Sequence, residues 1–373
     1  MEVSEQIARF DFYLRRLALR LSPQLYSYFY SNGRKYFLKI LQTEVPEQSF
    51  VPSDIYKQKL WDIEFNFPLF NSAGMFKNGL GYEVCRKQGA GAFLAGTSTS
   101  LARNGNTKNN IKHPFAPYPI SGIASNWMGL PNEGHGKLAK TVSEIVKKKG
   151  CPLGVSLAIA PEQIGELAVE YLCQGLKLFN KANVDFIEIN ESCPNVSHEH
   201  GTELINGIDS SLIMRLEYVS QQFLKKRTRN LPVIVKFSND TCPEQIPFLI
   251  EILISLGFDG ANFGNTSTDY SSAFQMIANQ EKKHFDYFIN QFGGGLSGSF
   301  LKDKSLNLCS IASHYLANHQ IPQEFHLIRT GGVDSPEDLE LSSKLNIPLN
   351  QWFTGYFDNF ARYGHNLYER LIK

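Results

Sequence analysis

The segment "DFIEIN" (residues 185–190) is a short apolar run that ends on a polar side chain, and the chain carries eight runs of this kind. The others are "LFNSAG" (69–74), "AFLAGT" (92–97), "PLGVSLAI" (152–159), "PVIVKF" (232–237), "GANFGN" (260–265), "FHLIRTGG" (325–332) and "QWFTG" (351–355). Most are separated by enough chain for a crossover helix. Eight strand–helix alternations predict an α/β protein built as a (β/α)8 barrel. "KLWDIEFNFP" (59–68) reads as a hairpin ahead of the first run. The expected organisation is an N-terminal helical extension over residues 1–45 and one barrel domain over 46–373. Functional groups of such a barrel gather at the carboxyl ends of its strands. Those ends hold Asn71, Ser72, Thr97, Ser156, residues 190–195, Lys236, Asn265, Thr266, Gly331, Gly332 and Thr354.

The chain has 373 residues, of which 42% are hydrophobic and 20% charged, and a net charge of +1. That balance argues against nucleic acid as a main partner. Six cysteines without a CxxC pair read as reduced thiols, with no iron–sulfur or zinc spacing, so no metal is expected. Glu2 and Glu5 in the first turn do not fit a signal peptide, and no apolar run reaches the ~20 residues of a membrane span. A cytoplasmic protein is expected.

Residues 1–42 have a different character, with seven Lys or Arg, three acidic residues and nine aromatics. Ile7, Phe10, Leu14, Leu17 and Leu21 recur at helical spacing, with Arg9, Arg15, Arg16 and Arg20 on the other face. Pro23 interrupts, and a second helical segment follows that should break at Asn32-Gly33. The pair either packs on the barrel or forms an apolar, basic platform for a membrane surface or a lipophilic ligand.

Three glycine-bearing segments lie at or near the last strands: "FGGGLSGS" (292–299) in the loop after the sixth, "TGG" (330–332) and "FTG" (353–355). Glycine lets backbone N–H groups approach a phosphate, so together they suggest a phosphate cradle. Lys236 ends an apolar strand, and a buried ammonium needs a partner. It either snorkels outward or faces negative charge that develops on a ligand. Asn126, Asn190, Asn195 and Asn265 could read a flat ligand rich in amide donors and acceptors; singly, each also fits a turn or cap. Cys193 stands between two of them, with His198 and His200 nearby. A metal ligand, a nucleophile, a general base and an inert buried thiol are its possible roles.

These residues resemble the FMN-dependent dihydroorotate dehydrogenases. "SAGMFKNG", "GTST", "NWMGLPN", "INESCPN", "VIVKF", "GNTST", "GGLSG", "TGGVDS" and "QWFTG" occur in family order and spacing from about residue 46 to the end. The resemblance implies oxidation of dihydroorotate to orotate, a step of pyrimidine biosynthesis. It implies substrate contacts from Asn126, Met128, Gly129, Leu130, Asn190, Asn195, Asn265 and Thr266, with Cys193 as the base. Lys236 would oppose the charge of the reduced flavin. Ala73, Gly74, Thr97, Ser156, Asn190 and Gly264 would line FMN, and Gly298, Gly332, Phe353 and Thr354 would hold its phosphate. Another dihydropyrimidine substrate, or an FMN barrel without catalysis, are the alternatives.

The resemblance is to two classes at once. Cys193 and "NWMGLPN" look like the soluble class, while the N-terminal extension and Lys77 look like the quinone-linked class. Gly96 stands where the soluble class has a carboxylate-binding lysine, so Lys77 is expected to take that contact. Quinone-linked members carry an arginine near the stretch matching "HPFAPY" (113–118), which has none. Glu191 stands where an apolar residue is usual, with no reason apparent in the sequence. The missing arginine points to fumarate as acceptor. The extension points to a quinone, with peripheral contact to a membrane's inner face through residues 1–42, and it weighs more.

Overall fold

The computed structural model describes residues 2–191, 204–205 and 207–372. Cys193, Asn195, His198 and His200 lie outside the described residues. Eight parallel strands make one sheet: β1 (Leu69–Asn71), β2 (Phe93–Ser98), β3 (Leu153–Leu157), β4 (Phe186–Asn190), β5 (Val233–Phe237), β6 (Gly260–Phe263), β7 (His326–Thr330) and β8 (Leu349–Trp352). From β2 to β8 each strand pairs with its sequence neighbour, and β8 pairs with β1. The seam between β1 and β2 is closed by a side chain. Asn71 Nδ2 donates to Leu94 O at 2.7 Å, and Asn71 Oδ1 accepts from Leu94 N at 3.1 Å. The expected barrel is therefore present, with the hairpin Gln58–Leu60 and Ile63–Phe65 ahead of it.

Strand alternation sorts the side chains. Ile187 and Ile189 of β4, and Val233, Val235 and Phe237 of β5, face outward into the layer shared with the surrounding helices. Phe70, Leu94, Phe186, Ile234, Ile328 and Leu349 fill the barrel floor. A Cβ on Gly154 would come within 2.2 Å of the Phe186 ring, so glycine there makes room for the floor. One pleat higher, the inward positions turn polar: Glu188, Lys236, Asn262, Thr330 and Gln351 are all buried. Above this layer the strands open into the site.

Two features differ from the sequence expectation. Gly295–Gly298, within the glycine-rich segment, is a strand rather than a loop. It pairs antiparallel with Ile123–Asn126, which pairs with Phe115–Tyr118. Helix α2 (Pro23–Leu41) also runs unbroken through Asn32-Gly33. A mid-helix glycine costs about 1 kcal/mol, and α2 offsets it by packing on that small sheet. Tyr26 Oη donates to Pro117 O at 2.6 Å, and Ser31 Oγ accepts from Phe115 N at 2.9 Å.

Helix α1 (Val3–Ala18) is anchored at its start by Glu44, which accepts from Val3 N and Ser4 N at 3.0 and 2.7 Å. Arg15 pairs with Asp358 at 2.8 Å on the barrel's last helix, so it does not join the solvent-facing basic residues. The row Ile7, Phe10, Leu14, Leu17 and Leu21 remains exposed, Phe10 by 68%. No helix among the described residues is long and apolar enough to cross a membrane.

Candidate active site

A single cavity of about 660 Å³ joins the helix pair to the strand ends. Ile7, Phe10, Leu14, Leu17, Phe29 and Arg34 line its outer part. Ala73, Gly74, Thr97, Asn190, Lys236, Asn265, Thr266, Gly298, Gly332, Phe353 and Thr354 line its inner part. Lys77, Asn126, Met128 and Leu130 form the wall as well, so residues far apart in the chain converge as expected. Three expected site residues stand behind this wall. Ser156 Oγ meets Thr97 Oγ1 at 3.0 Å. Gly264 lets β6 pass β7, since a Cβ there would fall 1.4 Å from Thr330 O. Gly129 lets the chain pass Asn106, whose Oδ1 would lie 2.2 Å from an added Cβ.

Two of the amides are linked to each other, and the third is held by backbone. Asn265 Nδ2 donates to Asn190 Oδ1 at 3.3 Å, Asn190 Nδ2 to Thr97 Oγ1 at 3.3 Å, and Asn126 Nδ2 to Gly295 O at 3.1 Å. Thr266 Oγ1 is buried without a hydrogen-bond partner. Lys236 does not snorkel outward: it is buried inside the barrel, where its Nζ donates to Gln351 Oε1 at 2.9 Å and lies 3.6 Å from Glu188 Oε1. Burial pulls its pKa down, and Glu188 opposes that shift.

Arg34 is the residue that sequence reading missed. It reaches from α2 to the stretch where no arginine occurs, with its guanidinium carbon 5.6 Å from the Phe115 ring centre. Its Nη2 lies 3.1 Å from Met128 Sδ, and Lys77 Nζ lies 4.0 Å from the same sulfur. Arg34 Nε and Nη1 are sealed from solvent without a hydrogen-bond partner. Burial lowers the guanidinium's pKa to about 10, which still leaves it charged at neutral pH. Glu191 also finds its reason. It accepts from Arg215 Nη2 at 2.8 Å, tying the end of β4 to helix Ser210–Gln222.

A sequence model described as Dihydroorotate dehydrogenase matches residues 55–341. The chain belongs to the dihydroorotate dehydrogenase family. It is an oxidoreductase that converts dihydroorotate to orotate, and the family uses a flavin. It is 28% identical over 340 residues to "Dihydroorotate dehydrogenase (quinone)" of Buchnera aphidicola, covering 90% of this chain and 92% of that one. It is 27% identical over 303 residues to the protein of the same name from Idiomarina loihiensis, covering 80% and 82%. The crystal structure of DHODH from Eimeria tenella in complex with ferulenol superposes with a TM-score of 0.73 at 17% identity, covering 91% and 88%, a likeness of fold.

The dihydroorotate dehydrogenase site fits a flavin on its own geometry. Gly298 and Gly332 have positive φ, and a Cβ on them would meet Gly122 O at 2.1 Å or Lys302 N at 2.6 Å, so bare backbone lines this end. Helix Thr354–Tyr363 begins at the same wall, and a helix N-terminus favours an anion. The cationic Lys236 and the orphaned Thr266 hydroxyl complete a cavity that is polar at its inner end.

Proposed function

We propose that this chain oxidises dihydroorotate on bound FMN and passes the electrons to a quinone that enters between α1 and α2. The continuous cavity carries this reading: its outer part is mainly apolar, with the Arg34 guanidinium among the apolar side chains, and its inner part holds Lys236 and the amides. The quinone named for the curated relatives supports it. Bound FMN would supply the acceptor for the hydride from substrate C6 and the route by which electrons leave. Gly298, Gly332, Phe353 and Thr354 would hold its phosphate, and Ala73, Gly74 and Thr97 would line it, with Ser156 and Gly264 supporting them. Asn126, Asn190, Asn195, Asn265 and Thr266 orient the pyrimidine, backed by the turn Met128–Gly129–Leu130. Lys77 meets the carboxylate. Cys193 removes the C5 proton, a task that needs a positioned thiol near its usual pKa of about 8.5. Lys236 opposes the negative charge that develops on the ring.

Anaerobic dihydroorotate should bleach the flavin of the purified protein. Cys193→Ala should slow that bleaching about 10²–10⁴-fold at unchanged flavin content, the usual range for a lost general base. A short-chain quinone should then restore the colour faster than fumarate. Fumarate winning that comparison would overturn the acceptor. An alanine variant that bleaches at the parent rate would remove Cys193 as base.

A further inference from the structure

Beneath the site lies a closed polar layer to which five successive strands each contribute one side chain. Glu188 of β4 accepts through Oε2 from Asn262 Nδ2 of β6 and from Gln351 Nε2 of β8, both at 2.8 Å. Gln351 Oε1 accepts from Lys236 Nζ of β5 at 2.9 Å. Thr330 of β7 lies 2.9 Å from Asn262 Oδ1 and 3.1 Å from Gln351 Oε1. Glu188 Oε1 has no hydrogen-bond partner and points at the Lys236 ammonium, 3.6 Å away. Glu188 is 1% exposed and Lys236 2%.

Such a carboxylate is expensive to bury and contributes nothing to packing that an apolar residue could not supply. The amides of Asn262 and Gln351 are turned so that their N–H groups face Glu188, an arrangement that suits a carboxylate acceptor. Among the described residues, Glu188 is the one ionisable side chain that acts on Lys236; the neighbours from the other strands are neutral. Lys236 alone in this layer would lose its proton readily, because desolvation disfavours an ammonium.

We propose that Glu188 is a positioning residue that keeps Lys236 charged beneath the flavin across the working pH range. It does so as a fixed buried counter-ion, held on the floor side by Asn262 and Gln351 so that the ammonium stays on the cavity side. The inference rests on the flavin reading above. It assigns Glu188 a role in the charge of the site rather than in contact with substrate.

The test is sulfite binding to the flavin-loaded enzyme, read from the loss of flavin absorbance, because sulfite binds a flavin more tightly when positive charge lies beside the ring. The ratio of Glu188→Gln to parent affinity should fall at least about tenfold between roughly pH 6 and 9, as Lys236 loses its proton in the variant alone. The double variant Glu188→Gln/Lys236→Met should show no such ionisation. If Glu188→Gln does not accumulate, Glu188→Asp should shift the same ionisation by a smaller amount, since its carboxylate is drawn back by one methylene. A pH-independent ratio, or an ionisation that survives in the double variant, overturns the proposal while leaving the flavin reading intact. Parent protein that takes up no flavin overturns both.

Discussion

Arg34 shows how a buried charge acquires a job. Its Nη2 rests on Met128 Sδ, a weak acceptor, and two further N–H-bearing nitrogens face no acceptor at all. Leaving such a group unsatisfied costs about 1–3 kcal/mol, so a ligand oxygen at this point of the cavity gains what the apo protein lacks. On the proposed function, the carbonyl of an incoming quinone would be that partner. Arg34→Met should therefore lower kcat/KM for a short-chain quinone about 10–100-fold, the equivalent of one charge-assisted hydrogen bond. Flavin reduction by dihydroorotate should keep its rate in stopped flow. If orotate affinity falls instead while quinone kinetics are unchanged, Arg34 serves the substrate carboxylate together with Lys77.

Helices α1 and α2 are held to the barrel at one edge and left open at the other. Arg15 pairs with Asp358 and Tyr26 Oη donates to Pro117 O, while Glu44 ties the start of α1 to the end of α2. The opposite edge carries Phe10, Leu17 and Phe29, each more than half exposed and each at the cavity wall. An apolar rim around a cavity mouth suits a lipid surface from which a lipophilic acceptor enters. Burying one such side chain contributes about 1.5–3 kcal/mol. Phe10→Glu/Phe29→Glu should accordingly weaken sedimentation with anionic phospholipid vesicles by at least about tenfold. Turnover with a vesicle-borne quinone should drop in parallel, with anaerobic bleaching by dihydroorotate preserved. Vesicle binding equal to that of the parent would make the helices structural cover.

The molecule as folded also has a built-in acid sensitivity away from the site. His135, at the start of helix His135–Ser143, is buried with Nδ1 2.9 Å from Ser98 Oγ, and burial lowers its pKa to about 4. The unfolded chain binds this proton near pH 6.5 and the folded protein does not, so the unfolded state holds more protons between those values. Stability is therefore complete above about pH 6.5 and declines as pH falls toward 4. The loss from His135 reaches about 2 kcal/mol by pH 5. Depressed carboxylates such as Asp240 add their own loss only at lower pH. Urea denaturation at pH 7.5 and pH 5 should show this drop in the parent and a smaller one in His135→Gln. Equal drops in the two proteins would assign the acid sensitivity elsewhere.

Much of this was written locally in the chain. Strand period, crossover length and polar strand ends are properties of contiguous residues, so eight runs such as "DFIEIN" and "PVIVKF" sufficed for the barrel, and their carboxyl ends sufficed for most of the cavity wall. Local pattern misled where packing outweighed propensity. Asn32-Gly33 reads as a break, yet α2 continues because its aromatic face docks on the small sheet. Charge partnership was not legible at all. Arg34 reaches Met128 across 94 positions, Arg215 meets Glu191 across 24, and Lys236 meets Gln351 across 115. The worth of a charge is set by its burial and by what lies within a few ångströms of it. Those distances exist only once the strands have closed and α2 has been laid across the mouth of the barrel.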